Sequence, residues 1–176
     1  IYPNLRNLGC IFTFGLSGFL FFHNDHISAS DFMKRTKWVD GYYTFGFVRN
    51  PYSWQVSTYN YTRKWPKHHE HDLIKNMSFE QYIDWRVSEG NAWKQKEFYF
   101  EGDQQIVEDV FQLENIDEAM EKISKRLVIT TPVILKYNIS TTTDWRELYS
   151  DSLAQKVYET FKEDFLTFGY GEQSYK

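Results

Sequence analysis

At 176 residues, 41% of them hydrophobic and 19% aromatic, the chain has enough apolar material to close one core, so residues 1–176 are read as a single domain. The 25% charged content excludes a fibrous or disordered chain, and a formal net charge of −4 argues against a general nucleic-acid binder. One cysteine, Cys10, permits no internal disulfide and points to a reducing compartment, hence the cytoplasm, or the Golgi lumen if an upstream anchor was removed.

The first apolar run, Ile11 to Phe22, is interrupted by Thr13, Gly15, Ser17 and Gly18 and is too short for a bilayer of roughly 30 Å, so it reads as buried core and no membrane segment is expected. Residues 34–75 then carry eight Lys/Arg against three Asp/Glu, a net +5, whereas residues 76–176 carry eleven against nineteen, a net −8. An anionic ligand is expected on the basic stretch. Within it, Tyr42 to Val48 is dense in aromatic residues, ends on a β-branched one and has the length of a buried strand. Asn50 and Pro51 supply a helix cap and a first helical residue, and the spacing predicts a helix over 52–63.

Ser78, followed by Phe79-Glu80-Gln81, predicts a capped helix to about Val87. A second inner strand is expected over 106–112, and Ile116, Ala119, Met120 and Ile123 have helical spacing within 115–126. The last helix runs from about Ser150 to Phe165 with Leu153, Val157, Phe161 and Phe165 at intervals of four, and Gly169 ends it. Strands alternating with helices predict an α/β domain with a largely parallel central sheet.

Arg49 stands at the carboxyl end of the first inner strand, where open α/β sheets bind ligands, and the helix that follows offers free N–H groups and a partial positive charge to an anion. Ser57, about two turns along that helix, can present its hydroxyl to the same anion. The plain alternative is a structural ion pair and a polar helix face. The segment Phe47-Val-Arg-Asn-Pro-Tyr-Ser-Trp-Gln-Val-Ser57-Thr-Tyr resembles the 3'-phosphate-binding motif of sulfotransferases that use 3'-phosphoadenosine-5'-phosphosulfate. Val110 to Asp117 and Trp145 to Tyr170 resemble later segments of that family, so the resemblance spans roughly residues 23 to 170 and is nearest its carbohydrate-type branch.

The resemblance implies a three-layer, P-loop nucleotide-kinase-like fold, that cofactor, and transfer of a sulfuryl group to the hydroxyl of a saccharide or another acceptor. It assigns Arg49 and Ser57 to the cofactor's 3'-phosphate. It places His26, in His23-Asn-Asp-His-Ile-Ser, where the family's catalytic base stands, with His23 as a second candidate; the alternative is a histidine that merely holds its loop. Asn138 and Ser140 resemble a segment that closes over the cofactor, or form an ordinary polar loop. The family's Lys-x-Gly-x-x-Ser/Thr loop for the 5'-phosphosulfate is not found, since no lysine precedes residue 34. The expectation is that the chain begins just after that loop or lacks it, and the competing reading is an inactive nucleotide-binding remnant. His68-His69-Glu70-His71-Asp72 has metal-ligand residue types, but its spacing fits no zinc motif, so no metal is expected; with Arg63, Lys64 and Lys67 it could meet an acidic glycan.

Overall fold

A computed structural model describes residues 12–14, 28–30, 34, 42–88, 90–132 and 144–176. They fall into two compact units, one drawn from residues 1–48 and 95–135, the other from 49–94 and 136–176.

The first unit is built on a three-stranded sheet in which β2 (Tyr43–Val48) is central. It runs parallel to β5 (Asp109–Gln112), with Phe45 opposite Asp109 and Val48 opposite Gln112, and antiparallel to β1 (Phe12–Phe14). The α/β class holds, and among the described residues this sheet has one parallel ladder, β2 with β5, and one antiparallel ladder, β1 with β2. Strand period places Tyr43, Phe45 and Phe47 on one face, and they bury against Ala119 and Ile123 of α5 (Ile116–Leu127). Phe45 and Phe47 meet edge to face at 6.1 Å, and Phe111 of β5 extends the cluster at 5.8 Å from Phe47.

The predicted strand over 106–112 contracts to its last four residues. Before it, β3 (Phe100–Glu101) and β4 (Gln104–Gln105) form a small hairpin, and the Ile106 and Glu108 amides bond to the carbonyls of Tyr99 and Thr44. Tyr99 closes the short helix α4 (Lys96–Tyr99) and is 1% exposed. Its hydroxyl donates to the Phe47 carbonyl at 2.9 Å, which lays the ring over the backbone of Gly46. A Cβ on Gly46 would stand 2.2 Å from Tyr99 Cε1, so only glycine fits there.

The second unit is helical. Its long members are α1 (Pro51–Lys64), α3 (Phe79–Val87) and α6 (Asp151–Phe168), with the one-turn α2 (His71–Ile74) between the first two. The helices α1 and α3 start on the caps that the sequence predicts, and α6 starts at the predicted Ser150, which proves to be its cap. Asn50 Oδ1 accepts from Tyr52 N, Ser78 and Gln81 close a reciprocal capping box, and Ser150 Oγ accepts from Leu153 N. Gly169, at φ 72°, ends α6 in the left-handed conformation.

Tyr52, Val56 and Tyr59 of α1, Phe79, Tyr82 and Ile83 of α3 and the Leu153–Val157–Phe161–Phe165 stripe of α6 make one core. Tyrosine does much of this packing, and the hydroxyls of Tyr52, Tyr59 and Tyr82 each find a partner. Tyr52 donates to the Glu172 carbonyl, Tyr59 to the Met77 carbonyl and Tyr82 to Gln55 Oε1. Burial pushes the Tyr82 hydroxyl up to about 12 and also raises those of Tyr52 and Tyr149, so all three stay protonated donors at neutral pH.

Gly46→Ala is expected to destabilise the protein by about 1–3 kcal/mol, because the tethered Tyr99 ring cannot yield without losing its bond to Phe47. Gly46→Ala combined with Tyr99→Ala should cost less than the sum of the two changes in urea unfolding. Strict additivity of the two would show that the contact does not constrain position 46.

Candidate functional site

Arg49 directly follows the last residue of β2 and is half-buried. Its Nε donates to Ser53 Oγ at 2.8 Å, and Ser53 in turn donates to the Asn50 carbonyl at 3.1 Å. The guanidinium therefore lies along α1 on the face of Ser53. Ser57 is one helical turn further and half-buried, and residues four apart stack on one face of a helix, so Arg49, Ser53 and Ser57 form a single polar stripe. Ser57 makes no side-chain hydrogen bond among the described residues. The pair predicted from sequence is thus brought to one face, and Ser53 is a third member that sequence reasoning missed. Its position midway between the two was the signal.

The start of α1 offers an anion less than the sequence suggests. Pro51 has no N–H, and the Tyr52 N–H is taken by Asn50 Oδ1 at 3.0 Å. Asn50 is 8% exposed, and its amide donates on the other side to Ser174 Oγ at 2.8 Å. The closing residues are thereby fastened over the helix start, with Tyr52 bonded to the Glu172 carbonyl and Tyr175 to Asp151. Attraction for an anion rests on the Arg49 guanidinium, the hydroxyls of Ser53 and Ser57, and the helix dipole.

A second polar group, which sequence reasoning also missed, centres on Arg86 of α3, 4% exposed. It donates from Nη2 to Glu70 Oε2 at 3.1 Å, from Nη1 to the Asn91 carbonyl at 3.0 Å and from Nε to the Tyr82 hydroxyl at 3.2 Å. Its guanidinium also lies 4.6 Å from the Trp85 ring centroid and 5.6 Å from that of Trp93. Tyr82 and Arg86 stand four apart on one helix, but no local pattern links them to Glu70 or Asn91, so the sequence did not announce the group.

The histidine-rich run is tied to this group. His68 Nδ1 accepts from the Glu70 amide, the His68 and His69 rings stack at 4.5 Å, and Glu70 is committed to Arg86. One ligand atom from each of His68, His69 and Glu70 lies within 4.8 Å of the others, yet a metal at His68 Nδ1 would displace the Glu70 amide. Beside the run, Arg63 is bonded to the Tyr59 hydroxyl and the Lys75 carbonyl, while Lys64 and Lys67 are exposed. His23, His26, Asn138 and Ser140 lie outside the described residues. Among the described residues no helix is long and apolar enough to cross a membrane.

A family model described as Sulfotransferase family matches residues 19–171, which takes in Arg49, Ser53, Ser57 and His26. No curated protein and no solved structure matches the chain.

Proposed function

This chain belongs to the sulfotransferase family, and we propose that it carries a sulfuryl group from 3'-phosphoadenosine-5'-phosphosulfate to a hydroxyl of a carbohydrate. The observation that carries the donor assignment is the Arg49–Ser53–Ser57 stripe, one cation and two hydroxyls on a half-buried helix face at the end of an inner strand. A phosphate monoester meets there a charge-assisted donor and neutral donors together, which suits the 3'-phosphate of the cofactor. Asn138 and Ser140 are proposed to contact the same cofactor, and the fold is proposed to be the three-layer, nucleotide-kinase-like one.

In the transfer the acceptor oxygen forms a bond to sulfur, the bond from sulfur to the bridging phosphate oxygen breaks, and adenosine 3',5'-bisphosphate leaves. The proton of the acceptor hydroxyl goes to His26, the proposed base. Arg49 and Ser57 act at the far end of the nucleotide, so their contribution falls on binding and placement.

Adenosine 3',5'-bisphosphate is expected to raise the melting temperature by several degrees at a hundred times its dissociation constant, where binding adds roughly 2.7 kcal/mol, and 5'-AMP to raise it much less. Arg49→Ala should abolish the difference and Ser57→Ala should reduce it. Equal shifts with the two nucleotides would remove the assignment of the stripe.

In a form of the protein that transfers sulfuryl groups, His26→Ala should lower turnover by roughly 10²–10⁴-fold while the bisphosphate shift stays unchanged. Full turnover in that variant would place the base elsewhere, with His23 the next residue to replace.

A further inference from the structure

Ser53 of α1 is 3% exposed, and both of its side-chain hydrogen bonds run back to the two residues that precede the helix. Its Oγ accepts from Arg49 Nε at 2.8 Å and donates to the Asn50 carbonyl at 3.1 Å. A serine hydroxyl has one hydrogen, and in Ser53 that hydrogen is engaged at Asn50. A bond to the carbonyl three residues back is an ordinary one for a serine inside a helix. Here it also aims a lone pair of the oxygen at Arg49.

An arginine side chain is long and rich in rotamers, so a half-buried one points in one direction only when something holds it. The Nε–H sits on the stem side of the guanidinium, and a bond there sets the direction of the whole plane. Ser53 is itself held, because the Asn50 side chain that fixes its acceptor is bonded to the Tyr52 amide and to Ser174 Oγ. A chain of hydrogen bonds thus runs from the buried helix start to Arg49. With Nε given to Ser53, any two-pronged contact from Arg49 to a phosphate runs through Nη1 and Nη2. A carboxylate in place of Ser53 would hold the guanidinium and offset its charge. The neutral hydroxyl orients it and leaves the charge to the ligand.

We infer that Ser53 is a positioning residue, an assignment that rests on the phosphate reading of the stripe: it holds the Arg49 guanidinium along the helix face toward Ser57 and gives no hydrogen of its own to the ligand. The two hydroxyls of the stripe divide the work. Ser57, with no side-chain hydrogen bond among the described residues, offers its hydrogen to the phosphate, and Ser53 acts through Arg49. Ser53 and Ser57 stand four apart in α1, about 6 Å along one face, so a guanidinium bonded at Ser53 is brought near a phosphate bonded at Ser57.

The test is a double-mutant cycle on the whole chain, read by calorimetry as dissociation constants for adenosine 3',5'-bisphosphate and 5'-AMP. Ser53→Ala puts a good helix former inside a helix, and it should weaken the bisphosphate about tenfold and 5'-AMP by less than about twofold. In the Arg49→Ala background the same change should alter either affinity by less than about twofold, since the residue it acts through is gone. Nuclear magnetic resonance reads the bond directly: the Arg49 Nε–H proton should exchange with water faster in Ser53→Ala than in the unmodified chain. Full preference for the bisphosphate in Ser53→Ala, unchanged exchange of that proton, or an equal loss in the Arg49→Ala background, the mark of a direct donor, would each overturn the positioning role and leave the phosphate reading standing. Equal binding of the two nucleotides by the unmodified chain would instead sink the phosphate reading and the positioning role with it.

Discussion

The amide of Asn50 holds the start of α1 from two sides, and the second unit is arranged around that bond pair. Its oxygen caps the helix at Tyr52 and its nitrogen reaches Ser174, so the first turn of α1 and the end of the chain are fixed by one side chain. With the start fixed, helical periodicity fixes the remainder. Tyr52, Val56 and Tyr59 fall on the core side, Arg49, Ser53 and Ser57 on the polar stripe, and Trp54, Gln55 and Thr58 beside Arg86 and Trp93. A shift of the cap by one residue would rotate every one of these assignments by about 100°.

The choice of tyrosine over phenylalanine in the core follows from the same geometry. A phenylalanine would fill the volume at positions 52, 59 and 82, but it would leave the carbonyls of Glu172 and Met77 and the Gln55 amide to find other partners. Each tyrosine thus joins a helix to a loop or to a second helix through its ring edge while the ring fills the core. Tyr82 goes furthest, since it also passes the orientation of Arg86 to Gln55. Replacing Arg86 alone would strand Glu70, a carboxylate whose side chain is 13% exposed, and this marks the pair as a unit.

Much of the fold was legible because its signals are local. Asn50-Pro51, Ser78 with Gln81, Ser150 and Gly169 mark helix ends by chemistry that acts within four residues, and the structure places the ends where they predict. The β2 strand was equally plain from its density of aromatic residues and its length, whereas the Arg49–Ser57 pair stood out through the family resemblance rather than through spacing alone. What stayed hidden depends on partners distant in sequence. Gly46 reads as an ordinary weak spot in a strand until Tyr99 is laid on it, and the shortening of β5 follows from amides taken up by Tyr99 and Thr44. Arg86, four residues from Tyr82 but sixteen from Glu70, belongs to the same class.

Charge along the sequence proved a coarser guide than geometry. The basic stretch 34–75 suggested an anion site, yet several of its cations serve local structure. Lys34 meets Glu101, Lys75 meets Asp72, and Arg63 is bonded to a hydroxyl and a carbonyl. The two lysine pairs are largely exposed and worth little to stability, and their fields are screened beyond about 8–10 Å. Arg49 differs in burial rather than in charge. It is half-buried, leans on the neutral hydroxyl of Ser53 and stands beside the positive end of α1, so its field on that helix face is less screened than that of any lysine at the surface. The dielectric around one arginine, more than the number of basic residues near it, is the ground on which the stripe is proposed to take a phosphate.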